Sequence, residues 1–313
     1  IQQWVMALLS WRGIDEIIAA EMAVLPGMEE LANLLYILDY YERGQFDVII
    51  VDCAPTGETL RLLSFPEILR WWMDRIFPIQ RRAATLLRPM VKGFTDIPFP
   101  SDQVFKTAEV LFTQLDKMRA VFTDPEKTSV RLVVNPEKMV IKEAQRTYTY
   151  LNLYGYSTDL IVCNRIIPPE VSDPYFDIWK QRQSQHFQSI EERFSPIPIR
   201  TIPLFSTEVV GIDTLRLMAD ALFGQTDPIQ LFYRGHPQTL RKQDDGCYVL
   251  SLALPFITKH DLTLNRKGDE LIVEVGAYRR NIMLPLTLIE LPVHEAKFED
   301  NQLHIHFGPK KKV

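Results

Sequence analysis

The chain has 313 residues, 46% hydrophobic and 24% charged, and its Lys+Arg 35 against Asp+Glu 40 give a formal net charge of -5 at pH 7. That length buries a sizeable core and holds one large α/β domain or a medium domain with a small one, while the charge balance argues against nucleic acid as a partner. No run of about 18 apolar residues offers a membrane span, and the 3 cysteines, Cys53, Cys163 and Cys247, form no CxxC pair, which fits a reducing compartment without a disulfide framework.

No signal peptide is recognised, and the opening IQQWVMALLSW reads as the middle of a helix, so a fragment of a longer chain is expected. In chain order, FDVIIVD (46–52), SVRLVVN (129–135), DLIVCN (159–164) and IRTIPL (199–204) are continuous apolar runs, the pattern of strands covered on both faces. Helical stretches separate them. The clearest, 104–122, repeats Val104, Ala108, Leu111, Leu115, Met118 and Phe122 as one apolar stripe. Such alternation predicts a doubly wound parallel sheet covered by helices. Residues 224–246 are polar, rich in turn formers and read as a linker. Beyond them the period becomes two. Tyr248, Leu250, Leu252 and Leu254 share one face, and Leu303, Ile305 and Phe307 another, which predicts a small antiparallel all-β module.

Asp52 follows the run Val48 to Val51. In doubly wound proteins ligands lie beyond the carboxyl ends of the strands, and an acid there suits magnesium, often through water, in nucleotide hydrolases. Pro55 and Gly57 in APTGET shape a loop whose amides can approach a phosphate. Strand, acid and glycine alone form a weak pattern, and an acid that caps the next helix accounts for it equally well. His304 and His306 share a strand face and could hold a metal with a third ligand, although strand-surface histidines are far commoner. Between 60 and 128, PEILRWWMDRIF and RRAATLLRPMVKGF are amphipathic. Trp71, Trp72, Met73, Ile76 and Phe77 offer a large apolar surface suited to an apolar helix, with ordinary core packing the plainer reading of any one of them.

The whole string VDCAPTGETLRLLSFPE resembles the switch II segment of the ArsA-like ATPases, a family that includes the arsenite-pump ATPase and the ATPase of guided entry of tail-anchored membrane proteins. AAEMAVLPGMEEL (19–31), TSVRLVVNPEKMVIKEAQR (128–146), IVCNRIIPP (161–169) and IPLFSTEVVGIDTLRLMA (202–219) follow in the family's order. YVLSLALPF, GDELIVEVGAYRRNIMLP and EAKFEDNQLHIHF resemble the strands of an α-crystallin (small heat-shock) domain. The combination is similar to the plant and cyanobacterial branch of the targeting ATPases. The resemblance implies an ATPase domain at 1–223 with a client-binding helical subdomain at about 60–128, a linker at 224–246 and an α-crystallin-like sandwich at 247–313.

By the same resemblance the substrate is ATP with Mg2+. Asp52 is the magnesium-side acid, and Thr56 and Gly57 are the part of switch II that responds to the γ-phosphate. Asn164 binds the adenine edge, for which an amide has both donor and acceptor, although on the residue alone a helix cap or turn former after a strand is the commoner role, and Pro203 and Leu204 belong to the loop on the adenine face. The implied partners are a second copy, hydrophobic transmembrane-helix clients and a membrane receptor, in bacterial cytosol or plastid stroma. A metalloid-pump ATPase and a nucleotide-independent holdase or scaffold are the alternatives. The chain departs from the family at Cys53, where Thr is usual, and at Glu58, where His is usual. It also contains no GxxxxGK[ST] phosphate loop. In the family that loop and the switch I aspartate precede switch II, so the expectation is that the intact protein carries both and that these 313 residues alone do not hydrolyse ATP.

Overall fold

The computed structural model describes residues 28–53, 102–244 and 246–308. The chain divides into two compact units, residues 1–121 and 122–313. In the first, helix α1 (Met28–Arg43) buries Leu34 and Leu38, and helix α2 (Asp102–Phe122) buries Leu115 and Met118. Lys117 of α2 pairs with Glu42 of α1 at 2.6 Å. The expected stripe of α2 is thus seen at Leu115, Met118 and Phe122, all buried; the side chains of Val104 and Ala108 lie outside the described residues. Residues 46–53 correct the expectation of a strand buried on both faces. They join no ladder among the described residues, and Ile50 is 90% exposed. An apolar β-branched run fits a covered pleat but cannot supply the neighbours that cover it.

The second unit begins with a parallel sheet in the order β1 (Val130–Val134), β2 (Thr158–Ile166), β3 (Ile199–Pro203). Helix α3 (Lys138–Tyr154) joins β1 to β2, α4 (Asp177–Phe194) joins β2 to β3, and α5 (Ile212–Phe223) follows β3. Each packs beside a strand it adjoins. Among the described residues only the central strand is covered on both faces: Leu160, Ile161 and Cys163 are fully buried, whereas Val133 on β1 is 60% exposed. Leu160, Val162 and Ile202 form a core under Phe205, Met218, Leu222, Phe223 and Phe232.

The expected linker is ordered over much of its length. Arg131 donates to the carbonyls of Pro228 (2.7 Å) and Gln230 (3.0 Å) and pairs with the buried Asp159 at 3.3 Å. Ser157 donates to the Gly235 carbonyl at 3.1 Å. Strand β4 (Gln238–Lys242) then pairs with β5 (Tyr248–Ala253). The polar residues of 224–246 therefore strap the amino ends of β1 and β2 and open the β-module.

That module is all antiparallel. One sheet runs β4-β5-β10-β9, with β9 (Val293–Glu299) and β10 (Gln302–Phe307), and the other β6-β7-β8, from β6 (Leu262–Lys267), β7 (Glu270–Val275) and β8 (Tyr278–Met283). The residues of period two, Leu250, Leu252, Leu254, Leu303, Ile305 and Phe307, are buried, as are Leu271, Val273 and Val275 of the other sheet. Gly308 closes β10 at φ 142°, where an added Cβ would meet Cys247 Sγ at 2.5 Å, so only glycine fits without displacement.

The module is fastened to the carboxyl end of α3. Arg280, 3% exposed, donates to the Leu153 carbonyl at 2.6 Å. The rings of Tyr150 and Tyr278 lie 3.9 Å apart, and Thr149 donates to the Pro255 carbonyl at 2.5 Å. A cation on the last carbonyls of a helix also meets its negative dipole end. Because α3 runs antiparallel to the strands, the β-module sits at the amino end of the sheet and the start of α3 at the carboxyl end.

Candidate functional site

Parallel strands linked by helices bring their carboxyl ends to one edge, where ligands of such folds bind. Here β2 ends in a bulge: Cys163 pairs with Thr201 and Ile166 with Pro203, so Asn164 and Arg165 together oppose Ile202. Arg165 takes the left-handed φ of 58°, and its backbone N–H donates to Asn164 Oδ1 at 2.9 Å. That bond engages the amide oxygen of the half-exposed Asn164 and leaves its Nδ2 donors uncommitted among the described residues.

The adjoining strand supplies the apolar part. Leu204 N–H donates to the Ile166 carbonyl at 2.7 Å, extending the β2–β3 pairing one residue past the strand, while the Leu204 side chain is 45% exposed. Helix α4 holds the loop that leaves β2: Gln183 accepts from Ile167 N–H at 2.8 Å, and Lys180 donates to the carbonyls of Pro169 and Val171. Asn164, Pro203 and Leu204, which the family resemblance implies as one set, lie at the ends of neighbouring strands. An amide donor beside an exposed leucine fits a flat heteroaromatic ring: purine ring nitrogens accept, and the face packs on an apolar side chain.

Asp52 belongs to the other unit, in the exposed segment 46–53. Thr56, Gly57, Trp71, Trp72, Met73, Ile76 and Phe77 lie outside the described residues. Sequence reasoning missed Arg165, Lys180 and Gln183, which shape the loop rather than carry a motif. Cys163 is fully buried, and desolvation pushes its thiol up to about 11, so it is not a thiolate at neutral pH. Among the described residues no group of three or more His, Cys, Asp or Glu side chains is placed to hold a metal ion. His304 is tied through Nδ1 to Ser251 Oγ at 2.8 Å, and burial, ahead of the neighbouring charges, lowers the pKa of His306.

A family profile described as "Anion-transporting ATPase" matches residues 1–224, and one described as "HSP20-like domain found in ArsA" matches residues 245–307. A protein of Aquifex aeolicus named as an arsenical pump-driving ATPase is 36% identical over 97% of this chain and 78% of its own length. One so named from Chlorobaculum tepidum is 37% identical over 99% of this chain and 77% of its own. The ATPase GET3 of Phaeosphaeria nodorum is 27% identical over 61% of this chain and 60% of its own.

Proposed function

The chain belongs to the anion-transporting (ArsA) ATPase family, and on that premise we propose that the intact protein is a homodimeric targeting factor that holds hydrophobic helices, those of tail-anchored membrane proteins in particular, and is opened and closed by ATP. The observation that carries the nucleotide part is Asn164 Nδ2, without a partner among the described residues, near Pro203 and Leu204 at the carboxyl end of the sheet. Asn164 donates to the adenine edge, and Leu204 covers the face. Asp52 offers an exposed carboxylate, the hard oxygen donor that Mg2+ takes together with phosphate oxygens and water. Bound there, Mg2+ would neutralise charge on the β- and γ-phosphates. Thr56 and Gly57 follow Asp52 within four and five residues and would sense the γ-phosphate. The amphipathic stretches of sequence after them carry Trp71, Trp72, Met73, Ile76 and Phe77, the apolar residues for the client.

ATP turnover by the intact protein tests this reading. Asp52→Asn keeps the side-chain shape and removes the anion, so hydrolysis should fall by a hundredfold or more, that is by about 2.7 kcal/mol of barrier, with nucleotide still bound. Turnover unchanged by Asp52→Asn overturns the assigned role.

The names of the relatives from Aquifex aeolicus and Chlorobaculum tepidum favour a second reading, the driving subunit of a metalloid pump. Such a site needs convergent thiolates. The burial of Cys163 and Cys247 counts against their serving as ligands. Metalloid-stimulated hydrolysis lost on replacing Cys53, Cys163 and Cys247 by Ser would favour the pump.

A further inference from the structure

Among the described residues four that are not glycine hold positive φ: Arg165 (58°), Phe256 (66°), Asp300 (50°) and Asn301 (59°). Three have a local reason. Asp300 and Asn301 are the two-residue turn between β9 and β10, where a primed turn requires left-handed backbone. The Phe256 ring packs against Phe194 at 5.5 Å and Tyr148 at 6.1 Å. Arg165 lies in neither a turn nor an aromatic contact but in the bulge of β2, where its backbone N–H is held by Asn164 Oδ1. It is exposed, and its guanidinium makes no hydrogen bond or ion pair within the described residues. A glycine would adopt the same backbone without steric penalty.

We propose that Arg165 is a nucleotide-contacting residue whose guanidinium lies against the nucleoside held by Asn164. The inference rests on the reading of this strand end as the nucleotide site. A β-bulge redirects side chains, and this one places an exposed planar cation next in sequence to an amide whose Nδ2 has no partner among the described residues, on the strand paired with the one that leads into the exposed Leu204. Neighbouring Cα atoms are about 3.8 Å apart, so a side chain adjoining the adenine-binding residue meets base and ribose rather than the terminal phosphates. A guanidinium plane stacks on an aromatic ring in a way an ammonium does not. Backbone strain retained at such a position is common where a ligand is clamped.

The test is equilibrium binding of ATP, ADP and AMP to the intact protein and to its Arg165→Gly, Arg165→Lys and Asn164→Ala variants, with melting temperatures taken without nucleotide. Arg165→Gly should weaken all three nucleotides by a similar factor, about tenfold, the scale of a stacked cation. Arg165→Lys should recover only part of it. The melting temperature of Arg165→Gly should equal or exceed that of the parent, because the left-handed strain is released. Parent-like binding by Arg165→Gly, a lower melting temperature, or a loss confined to ATP and ADP each overturns the inference. If Asn164→Ala loses affinity and Arg165→Gly does not, this inference alone fails. If neither variant weakens binding, the nucleotide reading of the strand end fails with it.

Discussion

Cys163 shows how placement sets the chemistry of one side chain. As the last apolar residue of DLIVC it was legible as a cysteine near the end of a strand covered on both faces, and its full burial between β1 and β3 bears that expectation out. Desolvation raises its pKa from 9.0 to about 11, and burial raises Tyr148 and Tyr150 in the same direction. A group whose pKa is raised on folding contributes stability in full below its unfolded value and loses it as pH rises through the folded one. For Cys163 the window is pH 9 to about 11, and the loss amounts to about 2 to 3 kcal/mol by linkage. Denaturant unfolding across that window should show falling stability, and Cys163→Ala should flatten the slope. Iodoacetamide at pH 8 should modify the exposed Cys53 well before Cys163; equal rates would contradict the burial. Asn164, Pro203 and Leu204 were legible as strand-end residues with suitable chemistry. Arg165 was not, because a left-handed bulge leaves no mark in composition or period.

Elements were legible where their own side chains decide them. The alternation in YVLSLAL and LHIHF requires one buried face whatever the partner, and Leu250, Leu252, Leu303, Ile305 and Phe307 fill the module core. Residues 46–52 failed as a strand because burial on both faces is a property of neighbours. Strand β4 was missed because QTLRK is mostly polar, and its pairing with β5 comes from backbone bonds. The junction of α3 with β8 was equally invisible, since it joins residues more than a hundred apart, such as Leu153 and Arg280. Replacing Arg280 by Met leaves the Leu153 carbonyl buried without its charged donor. The expected loss is about 1 to 3 kcal/mol, with a lower melting temperature and faster proteolysis between α3 and β8. An unchanged melting temperature would show that the aromatic contacts alone hold the module.

At the scale of the whole molecule, the sequence shows a parallel α/β part followed by a β-module, and the family comparisons divide the chain near the same place. What the sequence could not convey is that the three-stranded parallel sheet and the β-module share a compact unit, with the strap 228–235 on the sheet and Arg280 on α3. Helix α3 thus starts at the edge of the sheet that carries the proposed nucleotide residues and ends against the β-module. The central claim is that nucleotide governs the capture of a hydrophobic helix. It is tested most directly by measuring binding of a fluorescent tail-anchor transmembrane segment to the intact protein with ATP, with ADP and without nucleotide. A variant with Trp71, Trp72, Met73, Ile76 and Phe77 made polar is measured alongside. Nucleotide should change capture by tenfold or more, a free-energy coupling of about 1.4 kcal/mol, and the polar variant should lose the segment while still hydrolysing ATP. Capture that is equal with and without nucleotide, or that survives in the polar variant, would contradict the account and leave a nucleotide-independent holdase in its place.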